Sequence, residues 1–172
     1  MVTFFVLLVG VVAVERVVEL VISARNVAAA KRRGGLETGL GHYPVMVALH
    51  AGLLAGAVAE VVITDRPFLP WLGWPMLTLL VAAQALRWWC IATLGPQWNT
   101  RVVVVPGLPR VSHGPYRLLR HPNYLAVVVE GVALPLVHTA WLTAMLFSVS
   151  NLLVLRTRIR CEERALRLLA QP

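Results

Sequence analysis

Between positions 114 and 130 the chain reads GPYRLLRHPNYLAVVVE. Tyr116, Arg117, Arg120, His121 and Tyr124 crowd against an aliphatic run that ends in Glu130. Guanidinium, imidazole and phenol groups on the threshold of a hydrophobic helix suit chemistry at a boundary between water and lipid. A second polar group, RTRIRCEERAL at 156–166, follows the last apolar stretch. On a continuing helix Arg158 and Glu162 stand at i and i+4, which puts both side chains on one face. Together the two segments offer carboxylates, guanidinium, imidazole and phenols to one pocket, a set suited to a reaction between a polar cofactor and a lipid.

The elements that must position these groups follow from hydropathy. With 58% hydrophobic and 14% charged residues and a mean hydropathy of +0.72 over 172 residues, the chain reads as an all-α integral membrane protein. Its net charge of +8 does not suggest nucleic acid, because the basic residues alternate with apolar segments instead of forming a binding face. About 20 apolar residues cross a bilayer. Spans are therefore expected at 2–22, 43–63 and 69–94, and the longer stretch 124–155, broken around Pro135 and His138, reads as a tight helical hairpin that brings the total to five. The N-terminus lacks the basic start and cleavage site of a secretory signal, so it is retained as a helix.

Lys and Arg set the orientation. Arg25, Lys31, Arg32 and Arg33 follow the first span, Arg101, Arg110, Arg117 and Arg120 the third, and Arg156, Arg158, Arg160, Arg164 and Arg167 the last, whereas only Arg66 lies between the second and third. Five crossings with the N-terminus outside and the C-terminus cytoplasmic place all three basic segments inside. Trp71, Trp74 and Trp141 are then outer-interface anchors, and Trp88 and Trp89 inner ones. A hairpin returns its two ends to one membrane face, so Tyr116, Arg120, His121 and Tyr124 are expected to meet Arg158, Glu162 and Glu163 at the cytoplasmic side. Residues 1–95 form three N-terminal helices with a basic loop, and 96–172 form the catalytic region.

At these motifs the sequence resembles the isoprenylcysteine carboxyl methyltransferase family, membrane enzymes that use S-adenosyl-L-methionine and share a G-x-Y-x-x-x-R-H-P-x-Y segment and an E-E-x-x-L tail. The resemblance covers roughly the last third of the chain. It implies cofactor contacts at Tyr116, His121, Pro122, Asn123, Tyr124 and Glu162, and a substrate-side role for Arg158. A short segment upstream of the glycine also contacts the cofactor in the family; here it falls at Leu108 to Val111, where Pro109 and Arg110 depart from the eukaryotic pattern. WNTRVVVVPG, RHPNYLAVVVE and ERVVELVISARN further resemble a bacterial subgroup that O-methylates long-chain alkylpyrones and alkylresorcinols, which implies a bacterial inner-membrane location. Prenylated proteins are the acceptors of the eukaryotic enzymes.

The physical reading of the same residues runs in parallel. S-adenosylmethionine is a zwitterion with a sulfonium cation, so its pocket wants anions, π faces and donors. Glu162 or Glu163 can accept from its ribose hydroxyls or amino group, Tyr116 or Tyr124 can present a ring, and His121 and the Asn123 backbone can donate. Arg158 can aim an anionic substrate oxygen, and His121 can serve as base. Glu15, Arg16, Glu19 and Glu130 lie within spans, where an ionisable group costs about 3 kcal/mol at the bilayer centre. They read as a structural network, with Arg87 in the third span or Arg16 itself compensating the carboxylates, against a direct role in substrate recognition. His50 and Asn151 suit interhelical hydrogen bonds, no metal site is expected, and Cys90 and Cys161 read as small buried hydrophobes. Two rivals stand against this reading: NADPH-dependent membrane sterol reductases, which carry a similar R-H-P-N-Y segment before a final hairpin, and, as a different class, non-catalytic haem or lipid carriers; neither would bind S-adenosylmethionine.

Overall fold

A computed structural model describes residues 1–38, 41, 43–109 and 111–169, the last five by backbone alone. Five α-helices carry the fold: α1 (Val2–Arg32), α2 (Tyr43–Ile63), α3 (Pro70–Leu94), α4 (Pro122–Leu136) and α5 (Trp141–Leu169). Helices are the expected solution, since in a non-aqueous surrounding each backbone N–H and C=O must find its partner within the segment. Two features extend the all-helical expectation. The first helix runs past residue 22 to Arg32. The loops after α1 and α3 also pair as a short antiparallel ribbon, β1 (Leu36–Thr38) against β2 (Val102–Val104), with Glu37 opposite Val103.

Three helical segments, Tyr43–Ile63, Pro70–Gln97 and Trp141–Arg164, are long and apolar enough to cross a membrane. α1 carries Glu15, Arg16 and Glu19 among its aliphatics. α4 is apolar but has only 15 residues, about 22 Å at 1.5 Å per residue against a hydrocarbon core of about 30 Å. The hairpin turns at 137–139, where the sequence placed the break. Pro135 has no N–H to continue the ladder, and Thr139, at φ 56°, donates its hydroxyl to the Pro67 carbonyl at 2.7 Å.

Phe5, Val9 and Val12 of α1 meet Ala57 and Val61 of α2, Leu80 of α3 and Ala133, Leu134 and Val137 near the hairpin turn, forming the buried core. α4 packs most extensively along α3, and also on α5. Gly131 sets the α4–α5 approach, because a Cβ there would overlap the Phe147 ring; small residues of this kind let membrane helices come close. The N-terminal end of α5 is anchored by Glu60 of α2, whose carboxylate accepts from the backbone N–H of Leu142 at 3.1 Å and of Thr143 at 2.8 Å. A carboxylate at a helix N-terminus also meets the positive end of the helix dipole.

The acidic residues of α1 are paired as their types suggested. Arg16 bridges to Glu19 at 2.8 Å and approaches Glu130 of α4 at 3.6 Å, while Arg87 of α3 pairs with Glu130 and lies 3.7 Å from Glu19. Gln84 joins Glu15 and Arg16 to the same cluster. Two cations and three carboxylates thus tie α1, α3 and α4 together. His50 differs from expectation: its Nδ1 bonds the Met46 carbonyl one turn back in its own helix, at 2.8 Å, and its ring stands edge-on to Phe147. Cys90 is fully buried, whereas Cys161 is half-buried, near the Thr38 hydroxyl.

Candidate functional site

The polar motif enters against α3. Gly114, at φ +58°, sits so close to that helix that a Cβ would lie 2.8 Å from the Thr93 hydroxyl, and Pro115 behind it is fully buried. The 3-10 turn Gly114–Arg117 follows. It delivers Tyr116 to the Cys90 thiol of α3, and burial, followed by the proximity of Cys90, pushes the Tyr116 phenol far above its ordinary pKa. The residue before a proline is kept out of the helical region, so His121 ends the loop at φ −134° and ψ 62°, and Pro122 opens α4 at its first helical position.

Three side chains converge one turn later. Tyr124, on the first turn of α4, donates its hydroxyl to Glu162 and accepts from Arg158 Nε at 3.0 Å. Glu162 and Arg158 reach one oxygen because they occupy one face of α5. The His121 ring stacks on Tyr124 with centroids 5.2 Å apart and planes 18° from parallel. Asn123 contributes a buried Oδ1 for which the described residues supply no partner. Buried polar atoms are nearly always hydrogen-bonded, so this acceptor fits a bound donor such as an amino or hydroxyl group.

Arg158 is 8% exposed. Its Nη1 lies 2.7 Å from the Met46 sulfur of α2, and its Nη2 lies 3.5 Å from the Asn99 carbonyl. Among the described residues no carboxylate bridges to it. The Asn99 segment is fixed from α1: Asn26 donates to the Gly95 and Trp98 carbonyls at 3.1 and 2.7 Å, and Ser23 shares a hydrogen bond with the Thr100 hydroxyl at 2.7 Å. The basic loops are clamped nearby by Glu37, which bridges to Lys31 at 2.6 Å and Arg101 at 2.9 Å. The hydrogen bond from Lys31, then that from Arg101, holds the Glu37 carboxyl below its usual range.

The structure therefore gathers Tyr124, Glu162, Arg158 and His121, with Asn123 beside them and Tyr116 behind the turn against α3. Arg120 is exposed, and no contact of it or of Glu163 with this group appears among the described residues. Leu108 and Pro109 are exposed, Val111 is half-buried, and Arg110 lies outside the described residues. Met46, Asn99 and Cys90 touch the site or its support without having been singled out for it. Asn99 alone carried a signal, as part of the WNTR run; Met46 is one aliphatic-helix residue among many.

Residues 76–168 match the isoprenylcysteine carboxyl methyltransferase (ICMT) family. The match begins inside α3, not after it, consistent with the packing of α3 behind the motif. The chain is 36% identical over 163 residues to the uncharacterized protein YpbQ of Bacillus subtilis (strain 168), covering 94% of this chain and 96% of that protein. No solved structure matches it. With the family's residues spanning the α3–α4–α5 unit that holds the converging tyrosine, arginine and glutamate, the chain belongs to the isoprenylcysteine carboxyl methyltransferase family, a family of membrane methyltransferases.

Proposed function

We propose that the protein transfers a methyl group from S-adenosyl-L-methionine to an oxygen of a membrane-embedded lipid, a long-chain alkylpyrone or alkylresorcinol. The observation that carries this reading is the convergence of Arg158 and Glu162 on the Tyr124 hydroxyl within the region matched by the methyltransferase family. Tyr116, His121, Pro122, Asn123, Tyr124 and Glu162 would hold the cofactor, whose sulfonium supplies an activated methyl group. Glu162 offers an anion to its hydroxyl or amino groups, Asn123 an unpartnered acceptor, and the stacked His121 and Tyr124 rings a π surface. Arg158 favours the acceptor's oxyanion over its neutral hydroxyl, and His121 takes the departing proton. In-line displacement depends chiefly on alignment, which rigid elements supply.

The sparse polar residues around Arg158 suit a small phenolic or enolic head better than a peptide. The proposed topology has five crossings, with α1 and the short α4 included, the N-terminus outside and the site at the cytoplasmic face. It is supported by the clustering of Lys and Arg in the paired β1–β2 loops and after α5. Cysteines introduced at Gly34 and Gly107 should then resist an impermeant reagent in intact cells while one at Asp65 reacts; external labelling at Gly107 would reverse the orientation. The activity is tested by methyl transfer from the purified protein to an alkylpyrone, an alkylresorcinol and a farnesylated cysteine. Fastest transfer to the farnesylated cysteine would make this a carboxyl methyltransferase. NADPH-dependent reduction of a sterol, with no methyl transfer, would sink the reading.

A further inference from the structure

We infer that Met46 is a placeholder in the acceptor site: its thioether occupies the Arg158 N–H that the substrate oxygen takes over, and its displacement tunes acceptor affinity. The inference rests on the proposed methyl transfer and adds the residue that gates it. A buried guanidinium is stable only when its donors are satisfied and its charge is compensated. Among the described residues Arg158 has three neutral partners: the Tyr124 hydroxyl on Nε, the Asn99 carbonyl on Nη2 and the Met46 sulfur on Nη1. Of these a thioether is the weakest acceptor. Nη1 is therefore the position at which an anionic oxygen gains most by replacing what is there.

The surface beside that position, on the same α2–α5 seam, is apolar. A shallow, open groove between α2 and α5 is lined by Gly41, Val45, Leu153, Val154 and Thr157. Its walls include the residues immediately before Met46 and Arg158, and its aliphatic lining suits an alkyl chain. The occupant is a lipid with an acidic hydroxyl: the chain lies along Val45, Leu153 and Val154, and the oxygen meets the guanidinium, whose charge it complements. Met46 is suited to yield, being unbranched with a flexible side chain. Its backbone is held meanwhile, since its carbonyl also accepts from His50.

The test is direct binding of a long-chain alkylresorcinol, in lipid nanodiscs, to the full-length protein and two variants, with S-adenosylmethionine affinity as the measure of an intact site. Met46→Leu keeps volume but removes the sulfur, leaving Arg158 Nη1 without a partner in the free enzyme. The resorcinol should bind several-fold more tightly, with cofactor affinity unchanged and, in turnover, a fall in acceptor KM larger than any change in kcat. Val45→Trp fills the groove and should weaken resorcinol binding at least tenfold, again without loss of cofactor affinity. Unchanged resorcinol binding in Met46→Leu overturns the placeholder role, and unchanged binding in Val45→Trp overturns the groove. Because binding is read without turnover, a wild-type protein that binds the resorcinol but never methylates it refutes the enzymatic reading alone.

Discussion

Two of the buried charge clusters in this helical bundle are closed in different ways. In the α1–α3–α4 cluster, Arg16 and Arg87 face Glu19 and Glu130, and every cation has a carboxylate within reach. At the α4–α5 site, Arg158 is also buried but rests on a phenol, a carbonyl and a thioether, while the nearby Glu162 is engaged with Tyr124. The first arrangement satisfies itself and holds three helices together. Among the described residues, the second sets no carboxylate directly against the guanidinium, which is where an anion would gain most. Burial alone does not separate structural from functional charge; the identity of the partner does.

The comparison breaks most visibly in the closed cluster. Glu130→Ala strips Arg87 of its closer carboxylate and leaves the buried guanidinium only Glu19, 3.7 Å away, which should cost stability at the lower end of about 3–5 kcal/mol, seen as a large fall in the thermal unfolding midpoint in detergent. A stable Glu130→Ala protein that had lost only substrate binding would move this cluster into the site. Arg158→Lys should do the reverse, with an unfolding midpoint close to wild type and turnover reduced roughly a hundredfold, the order seen when a donor to a developing oxyanion is removed. A lysine cannot reproduce the planar fork, so the loss should exceed any loss of cofactor affinity. It should also be greater for a resorcinol, with a phenolic pKa of about 10, than for a more acidic hydroxypyrone.

Glu162→Gln and Tyr124→Ala address the proposed cofactor side of the open site. Each should weaken S-adenosylmethionine binding by about 1–3 kcal/mol in calorimetry if it removes a buried partner; wild-type affinity in both would take them out of the cofactor pocket. The smallest expected effect belongs to the solvent-facing clamp on the ribbon. Because Lys31 and Arg101 hold the Glu37 carboxyl below its ordinary value, its contribution is fully present above the ordinary carboxylate range and is lost as the pH falls through the lowered folded-state value. Lys31 and Arg101 are well exposed, so the effect should stay within about 1 kcal/mol. Glu37→Gln should flatten that acid limb; an unchanged acid limb would show that the ribbon does not depend on this carboxylate.

The sequence by itself determined the helical architecture, the position of the hairpin turn and the meeting of Tyr124 with Arg158 and Glu162. These follow from local rules: hydropathy over a helix length, a proline that cannot continue a ladder, and residues four apart that share a face. It also named Arg87 as a partner for the α1 carboxylates, because charges buried in spans must be paired. Only the tertiary structure decided the pairing of the two basic loops as a ribbon, the seating of Tyr116 on Cys90, the anchoring of α5 by Glu60 and the approach of Met46 and Asn99 to Arg158. Each of these joins segments distant in the chain. Their register depends on how whole helices pack and tilt, through contacts such as Gly131 against Phe147, which no local periodicity encodes.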